Sequence, residues 1–287
     1  MGVEDIVKTG KVWLVTGASA GFGRELVEYL LAQGARVVAT ARKVEGLKEL
    51  EARYPETALV VAMDVTDAKQ VEAAVRAAVK GFGRVDVLVN NAGYGMAGAV
   101  EESAEGEYRP MFETNVFGLI KVTQAVLPQM RKQGVGHIVN LSSIGGLVAT
   151  PGFGLYNATK FAVEGLSEAL AQELKPLGIG VTIVEPGPFR TKFLARAGAE
   201  AARSIPEYEQ TAGKMRTYFA EQDGKQRGDP QKAVEAIVKA VECEHPPLHL
   251  LLGASTVARV KGKVEALLKD VAEWEAVTVG ADFPAGE

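Results

Sequence analysis

Short apolar runs alternate with longer segments of helical periodicity along most of the chain. The apolar runs are rich in β-branched residues, which is typical of buried strands, and their alternation with helical segments predicts βαβ units in a parallel sheet. The predicted strands lie at 12–15, 35–40, 58–63, 85–90, 136–142, 180–186 and 249–253. The predicted helices lie at 22–33, 45–53, 67–82, about 103–131 and about 154–175.

The predicted strands are apolar nearly throughout, without the in-and-out alternation of a sheet that is wetted on one face. A parallel sheet of this kind is buried on both sides, so helices should cover both faces. We therefore predict an α/β fold with a doubly wound parallel sheet, in a single domain over residues 1–287. In such sheets ligands bind at the carboxyl ends of the strands, near the point where the strand order reverses.

Two segments depart from this alternation. Residues 188–228 mix aromatic and charged residues between two sheet elements, and we predict a helical lid over the substrate pocket there. A solvated loop without ligand contact is the alternative. Residues at about 254–279 are predicted to form an amphipathic helical extension, which either docks on the body or joins a partner subunit.

The composition excludes several classes of protein. The formal net charge of -4, without a cluster of Lys and Arg, gives no electrostatic case for a nucleic-acid partner. Cys243 is the only cysteine, which excludes an intrachain disulfide and a cysteine-based metal site. No stretch approaches the ~20 apolar residues of a membrane span, and the N-terminus lacks the pattern of a secretory leader. We expect a cytoplasmic protein without a membrane span.

A glycine-rich turn links the first predicted strand to the first predicted helix. The segment LVTGASAGFGRELVEYLL places Gly17, Gly21 and Gly23 between these elements. Glycines there permit a tight turn and a close approach of backbone to a pyrophosphate, whose charge the helix N-terminus stabilises. Simple turn chemistry is the alternative, but the position within repeating βαβ units favours a nucleotide site.

Tyr156 and Lys160 stand four residues apart, and Ser143 precedes the tyrosine by thirteen residues. Residues four apart share one face of a helix, so a proton donor and a cation lie together. The reference pKa of a phenol is about 10, and a cation ~5 Å away contributes ~3 kcal/mol towards lowering it at an effective dielectric constant near 20. We therefore expect Lys160 to lower the pKa of Tyr156, which would serve as the general acid and base.

Several motifs together resemble the short-chain dehydrogenase/reductase family closely, over about residues 10–253. The resemblance implies a Rossmann-type fold, NAD(P) as the cofactor and the interconversion of a carbonyl and an alcohol. Within the family, the chain is most similar in character to hydroxysteroid and retinol dehydrogenases. The motifs are the TGxxxGxG turn, NNAG at 90–93, Asn115, Ser143, Tyr156, Lys160, Pro186 and Gly187.

The end of the second predicted strand indicates which cofactor to expect. Family members that use NAD usually carry Asp where this chain has Ala41, and Arg42 follows it. An Asp would repel a 2′-phosphate, whereas a guanidinium binds that phosphate with two charge-assisted hydrogen bonds. We therefore predict NADP(H), with a solvated turn role for Arg42 as the alternative.

The resemblance also implies roles for the remaining site residues. Ser143 bonds the substrate oxygen, Tyr156 transfers the proton, and Lys160 bonds the nicotinamide ribose. Asn115 bends its helix and holds a water in the proton relay, with a plain helix kink as the alternative. Asp64 either holds the adenine edge or caps the next turn. Further cofactor contacts are expected from Gly17, Ser19, Gly21, Phe22, Gly23, Val65, Asn91, Ala92, Gly93, Pro186, Gly187, Phe189 and Thr191.

The expected substrate pocket is apolar or amphipathic, which favours a hydrophobic ketone, aldehyde or alcohol. A reductase of ketoacids bound to an acyl carrier or to CoA is an alternative, because Arg190, Lys192 and Arg196 would give the pocket a basic rim. A nucleotide-sensing protein without turnover is a second alternative, although the intact catalytic set argues against it. The expected pocket residues are Tyr94, Leu147, Phe153, Phe189 and Phe193.

No metal site is predicted, because no carboxylate spacing around His137, His245 or His249 suggests a ligand set. Family members often pair through the helices that are predicted here at about 103–131 and 154–175. A homodimer or homotetramer is therefore expected.

Overall fold

A seven-stranded parallel sheet forms the centre of the protein, in a computed structural model that describes residues 10–194 and 201–283. The strands in chain order are β1 (Val12–Val15), β2 (Arg36–Ala41), β3 (Ala58–Ala62), β4 (Val87–Asn90), β5 (Gly136–Leu141), β6 (Ile179–Pro186) and β7 (His249–Leu252). Their order across the sheet is β3-β2-β1-β4-β5-β6-β7, so the order reverses between β1 and β4. This arrangement confirms the predicted doubly wound parallel sheet of Rossmann type.

Helices join the strands and cover both faces of the sheet. The α-helices are α1 (Gly21–Ala32), α2 (Lys48–Arg53), α3 (Ala68–Phe82), α4 (Glu105–Phe112), α5 (Leu119–Gln133), α6 (Gly154–Leu174), α7 (Lys214–Gln222), α8 (Pro230–Glu242) and α9 (Ala254–Val279). A π-helical segment, Glu113–Gly118, joins α4 to α5. Short 3-10 segments lie at Glu45–Leu47, Val100–Glu102, Ile144–Gly146, Lys175–Leu177 and Pro206–Tyr208, and a second π-helical segment lies at Glu209–Gly213.

The sheet divides the hydrophobic core into two layers. Alternate residues of a strand point to opposite faces, so Trp13 and Val15 of β1 pack in the layer that contains α1 and α8. Val12 and Leu14 pack on the other face with α3, α5 and α6. All four side chains are fully buried, which contributes about 1.5–3 kcal/mol for each large apolar side chain. Burial on both faces explains why the strands have no polar alternation.

Helix α8 was not predicted from the sequence. Its start carries a clear local signal, because the Asp229 side chain accepts a hydrogen bond from the backbone N–H of Gln231 and Pro230 occupies the first helical position. Val234, Ile237, Val238 and Val241 then follow at helical spacing and are buried. The predicted helices at about 103–131 correspond to α4 and α5, which the π-helical segment Glu113–Gly118 joins.

The C-terminal part of the chain forms α7, α8, β7 and α9. Arg196, and with it part of the predicted lid at 188–228, lies outside the described residues. Among the residues that the structure describes, no helix has the length and apolarity that crossing a bilayer requires.

Candidate active site

The turn between β1 and α1 is built on glycines that cannot be replaced without a steric conflict. Gly17 and Gly21 adopt φ values of +67° and +57°, in the left-handed region. A Cβ atom on Gly23 would lie 2.4 Å from Nδ2 of Asn91 and 2.6 Å from the carbonyl oxygen of Gly17. Gly23 therefore packs the helix against the strand ends, and the cavity wall contains Gly17, Gly21 and Phe22 but not Gly23.

Residues after β4 hold this turn in place. The Asn91 side chain donates to the carbonyl oxygens of Thr16 and Gly17, at 2.8 and 3.1 Å. The backbone N–H groups of Asn91 and Ala92 both donate to Oγ1 of Thr16, at 3.0 Å. The Asn91 amide is thus engaged in fixing the glycine turn, while Asn91, Ala92 and Gly93 line the cavity.

The N-terminus of α1 suits an anion. Its N-cap residue is Ala20, which has no side chain to accept from the first N–H groups of the helix. These N–H groups and the helix dipole favour a negative charge at this end, and Ser19, Ala20 and Gly21 line the cavity there. The residues present therefore fit the pyrophosphate of a dinucleotide.

The ends of β2 and β3 form the far wall of the cavity. Ala41 closes β2 as a buried residue, and the exposed Arg42 follows it in the wall. Asp64 and Val65 also line the cavity. Oδ1 of Asp64 accepts from the backbone N–H and the hydroxyl of Thr66, at 2.9 and 2.8 Å, so this carboxylate caps the next turn as the alternative interpretation held.

Ser143, Tyr156 and Lys160 meet at one side of the cavity. Ser143 follows β5, and its Oγ accepts from the backbone N–H of Gly145 at 3.0 Å. Tyr156 and Lys160 lie in the first turns of α6, and Nζ of Lys160 is 5.8 Å from the centre of the Tyr156 ring. Nζ also donates to the carbonyl oxygen of Leu141 at 2.7 Å. Of the four side chains predicted to be catalytic, these three line the same cavity, and Asn115 does not.

The pKa of Tyr156 is shifted in the direction opposite to our expectation. Burial raises the pKa of the phenol, and a side-chain hydrogen bond from Ser143 acts weakly against this rise. Burial also lowers the pKa of Lys160 to about 8, with the charge of Glu164 opposing that change. The net shift is therefore opposite to the predicted one, because the loss of hydration outweighs the hydrogen bond with Ser143. A lowering of the pKa of Tyr156 by Lys160 stays a prediction.

Asn115 lies behind the cavity wall and is buried. Its Oδ1 accepts from the backbone N–H of Tyr94 at 3.0 Å, and its Nδ2 donates to the Tyr94 carbonyl oxygen at 2.8 Å. Nδ2 also lies 3.1 Å from Oγ1 of Thr159, which itself donates to the carbonyl oxygen of Tyr156. Asn115 thus ties the loop after β4 to the helix that carries Tyr156 and Lys160. A water held by Asn115 stays a prediction.

An apolar region adjoins the catalytic side chains within a cavity of about 2190 Å³. The Phe153 ring stacks on Tyr156 with 4.2 Å between ring centres, and Phe193 lies 5.6 Å from Tyr156. Tyr94 and Phe189 also line the cavity, as do Pro186, Gly187 and Thr191. The expected pocket residue Leu147 does not line the cavity, although Ile144 and Gly145 before it do.

Residues from α7 and α9 complete the cavity wall. These residues were not among those predicted from the sequence. The Phe219 ring stands at 90° to Phe153 with 5.1 Å between ring centres. Arg259 of α9 lines the cavity and donates to Oγ1 of Thr150 at 2.8 Å. The spacing of Met215 and Phe219, which both line the cavity, is a helical signal within the predicted lid. Lys192 and Lys214 also line the cavity. Arg190 does not line it and donates to the carbonyl oxygen of Gln226, which does.

The buried carboxyl groups of Glu164 and Glu185 form a cluster with the exposed His249 beside Lys160. Nδ1 of His249 is 2.7 Å from Oε1 of Glu185, and the donor atoms of all three residues lie within 4.8 Å of one another. Burial raises the pKa of Glu164 to about 7 and that of Glu185 to about 8. Among the described residues this is the group whose spacing would suit a metal ion, and the expectation of no metal site stays a prediction.

The fold and the glycine turn at its switch point define a Rossmann-type dinucleotide-binding protein. The chain belongs to the short-chain dehydrogenase family, whose model, described as "short chain dehydrogenase", matches residues 11–202. It is an oxidoreductase of that family. Oxidoreductase BOA17 of Botryotinia fuckeliana is 36% identical over 272 residues, which cover 94% of this chain and 99% of the relative. A 3-ketodihydrosphingosine reductase of Bacteroides thetaiotaomicron is 38% identical over 244 residues, covering 85% and 88%.

Solved structures show the same relationship. A short-chain dehydrogenase from Streptomyces avermitilis has a TM-score of 0.89 and 45% identity, covering 96% of this chain and 100% of its own. A short chain dehydrogenase/reductase from Burkholderia phymatum in complex with NAD has a TM-score of 0.81 and 26% identity, covering 91% and 95%. A serine dehydrogenase complexed with NADP⁺ has a TM-score of 0.73 and 27% identity, covering 84% and 94%. Neighbours of this fold thus bind either dinucleotide.

Proposed function

We propose that the chain is an NADP(H)-dependent oxidoreductase that interconverts a hydrophobic carbonyl compound and its alcohol. The observation that carries this proposal is the convergence of Ser143, Tyr156 and Lys160 on an apolar cavity that also contains the glycine turn. When bound, the cofactor supplies or accepts the hydride. Tyr156 supplies the proton to the oxygen of the carbonyl, and Ser143 orients that oxygen beside the phenol.

The protonated phenol of Tyr156 is suited to the reduction of a carbonyl. A buried phenol stays protonated near neutral pH, which is the form that a proton donor requires. Lys160, with a pKa of about 8, carries a positive charge at neutral pH and favours the alkoxide character that develops near it. Its hydrogen bond to the Leu141 carbonyl oxygen fixes the direction of the ammonium group.

NADP(H) is favoured by the end of β2. Ala41 leaves this position without a carboxylate, and the exposed Arg42 lines the cavity beside it. A guanidinium there binds a 2′-phosphate through charge-assisted hydrogen bonds, each contributing about 1.5–3 kcal/mol.

A hydrophobic substrate is supported by the aromatic wall around Tyr156, formed by Phe153, Phe193 and Phe219. The similarity to a 3-ketodihydrosphingosine reductase agrees with a long apolar ketone. A second candidate is the reduction of ketoacids bound to an acyl carrier or CoA, which Lys192 and Lys214 in the wall favour, because their charges suit a phosphate on the carrier.

The proposal is tested by a panel of apolar ketones, aldehydes and acyl-thioester ketoacids with NADPH, followed by absorbance of the reduced cofactor. Tyr156→Phe keeps the ring that stacks on Phe153 and removes the proton, so we expect kcat to fall by about 10²–10⁴-fold while NADPH binding is retained. Turnover within tenfold of the wild-type rate in this variant would contradict the mechanism. Faster turnover of the thioesters than of free ketones would favour the second candidate.

A further inference from the structure

Helix α9 extends away from the body after its first turns. Thr256 is buried and donates to the carbonyl oxygen of Leu252 at 2.8 Å, and Arg259 bonds Thr150. From residue 261 to residue 279 every residue is exposed. This part alone is ~28 Å long at 1.5 Å per residue. In proteins most of the stability of a helix comes from packing of its apolar face rather than from intrinsic helix propensity.

The apolar residues of α9 follow a heptad pattern. They recur at alternating intervals of three and four residues, which places them along one narrow stripe of the helix. Within the exposed part, Leu267 is 54% exposed and Trp274 is 62% exposed. We call this stripe the α9 seam, formed by Val257, Val260, Val264, Leu267, Val271 and Trp274.

The charges of α9 are divided between its two halves. The N-terminal half is net positive, because Arg259, Lys261 and Lys263 outnumber Glu265. The C-terminal half is net negative, because Asp270, Glu273 and Glu275 outnumber Lys269. This distribution opposes the helix dipole, which favours acidic residues near the N-terminus and basic residues near the C-terminus. The first turn indeed has no acidic residue and the last turn no basic one. Apart from the ion pair between Lys269 and Glu273 within the helix, this distribution of charge does not stabilise an isolated α9. It complements a copy of the helix that runs in the opposite direction.

We propose that the α9 seam packs against the α9 helix of a second copy of this chain, in an antiparallel pair. The two seams bury their apolar residues against each other, and the basic half of each helix meets the acidic half of the other. A parallel pair would place like charges together. A membrane surface fits less well, because the exposed part carries three Lys against four Asp and Glu and has no basic polar face.

The first test compares the masses of full-length variants by sedimentation velocity over a range of concentrations. Leu267→Lys/Val271→Lys introduces two charges into the seam, and we expect self-association through α9 to weaken by about 100-fold or more. The matched control, Ala272→Lys/Ala276→Lys, adds the same charge on the opposite side of the helix and should keep the wild-type mass. Thermal unfolding checks that the body of each variant is folded.

Equal masses for the wild type and the seam variant at every concentration would overturn the proposal, as would equal dissociation of the control. Binding of the wild type, but not the seam variant, to vesicles of phosphatidylcholine and phosphatidylserine without protein self-association would assign the face to a membrane instead.

The second test distinguishes the antiparallel pair from other uses of the seam. Lys261→Glu/Lys263→Glu and Glu273→Lys/Glu275→Lys should each weaken association about 3- to 30-fold, because each makes the two ends of α9 alike in charge. Their combination in one chain reverses both halves and should restore association. A combined variant that is weaker than either double variant would show that the charges meet something other than a second α9, and would overturn the proposal.

Discussion

Tyr156 and Lys160 are both buried, and burial shifts the pKa of each towards its uncharged form. Their spacing in the sequence predicts that they lie together, which the structure confirms, and it predicts the wrong direction for the pKa of the phenol. The reason is physical, because Phe153 and Phe193 close over the Tyr156 ring and exclude water from it. The spacing of two residues along a helix predicts that their side chains are neighbours. It does not predict how much hydration each side chain loses on burial.

Arg42 should decide the choice between the two dinucleotides. In Arg42→Ala we expect the ratio of kcat/KM for NADPH to that for NADH to fall about 10- to 100-fold, because the charge that would meet a 2′-phosphate is lost. Lys43→Ala removes the same charge one residue further along the cavity wall and serves as the control. An unchanged ratio in the Arg42→Ala variant would indicate that Arg42 is a solvated turn residue. A wild-type preference for NADH would contradict the cofactor assignment itself.

Helix α7 forms a part of the cavity wall that does not lie at the end of a strand. Its Phe219 is buried against Phe153, which in turn stacks on Tyr156. The predicted lid at 188–228 includes this helix, and its closing over substrate stays a prediction. What the structure adds is direct contact between α7 and the aromatic side chains beside the phenol.

The contribution of α7 to substrate binding is open to measurement. Phe219→Ala removes the ring that supports Phe153, and we expect KM for an apolar ketone to rise about tenfold or more, with little change in the affinity for NADPH. Thr217→Ala, an exposed change on the same helix, is the control. A Phe219 variant with wild-type KM would place this helix outside the substrate site. Cofactor affinity is measured by fluorescence titration of NADPH.

At the scale of the whole molecule, α6, β6 and β7 bring the buried Glu164 and Glu185 together with the exposed His249. Glu185 is fully buried, and its Oε2 has no hydrogen-bond partner among the described residues. Glu164 follows Lys160 by one helical turn, so the cluster adjoins the catalytic side chains. Nothing in the local sequence marks this convergence.

The cluster should make stability depend on pH. The pKa values of Glu164 and Glu185 in the folded protein, about 7 and about 8, lie above the usual value of 4.5. The folded state thus binds protons more tightly than the unfolded chain, and this contribution is full below pH 4.5 and is lost as the pH rises to about 8. We expect the free energy of unfolding to fall by about 2–4 kcal/mol between pH 6 and 8.5, measured by urea titration.

A variant that cannot ionise provides the control for this pH dependence. In Glu185→Gln most of the slope should disappear, because the amide stays neutral over the whole range. Glu265→Gln changes an exposed carboxylate in the same way and should keep the wild-type slope. A Glu185→Gln variant with the full slope would assign the pH dependence to other groups.

The sequence alone determined the parallel sheet, the glycine turn and the residues at the strand ends. These features depend on local periodicity and on backbone conformations that particular residues permit, so they can be read from short segments. The tertiary structure alone decided that Leu147 leaves the cavity wall, that Asn115 and Gly23 lie behind it, and that the pKa of Tyr156 rises. It also brought Glu164 and Glu185 together. The burial of a side chain and its distance from other charges depend on residues that are far apart along the chain. A local sequence pattern therefore does not predict them.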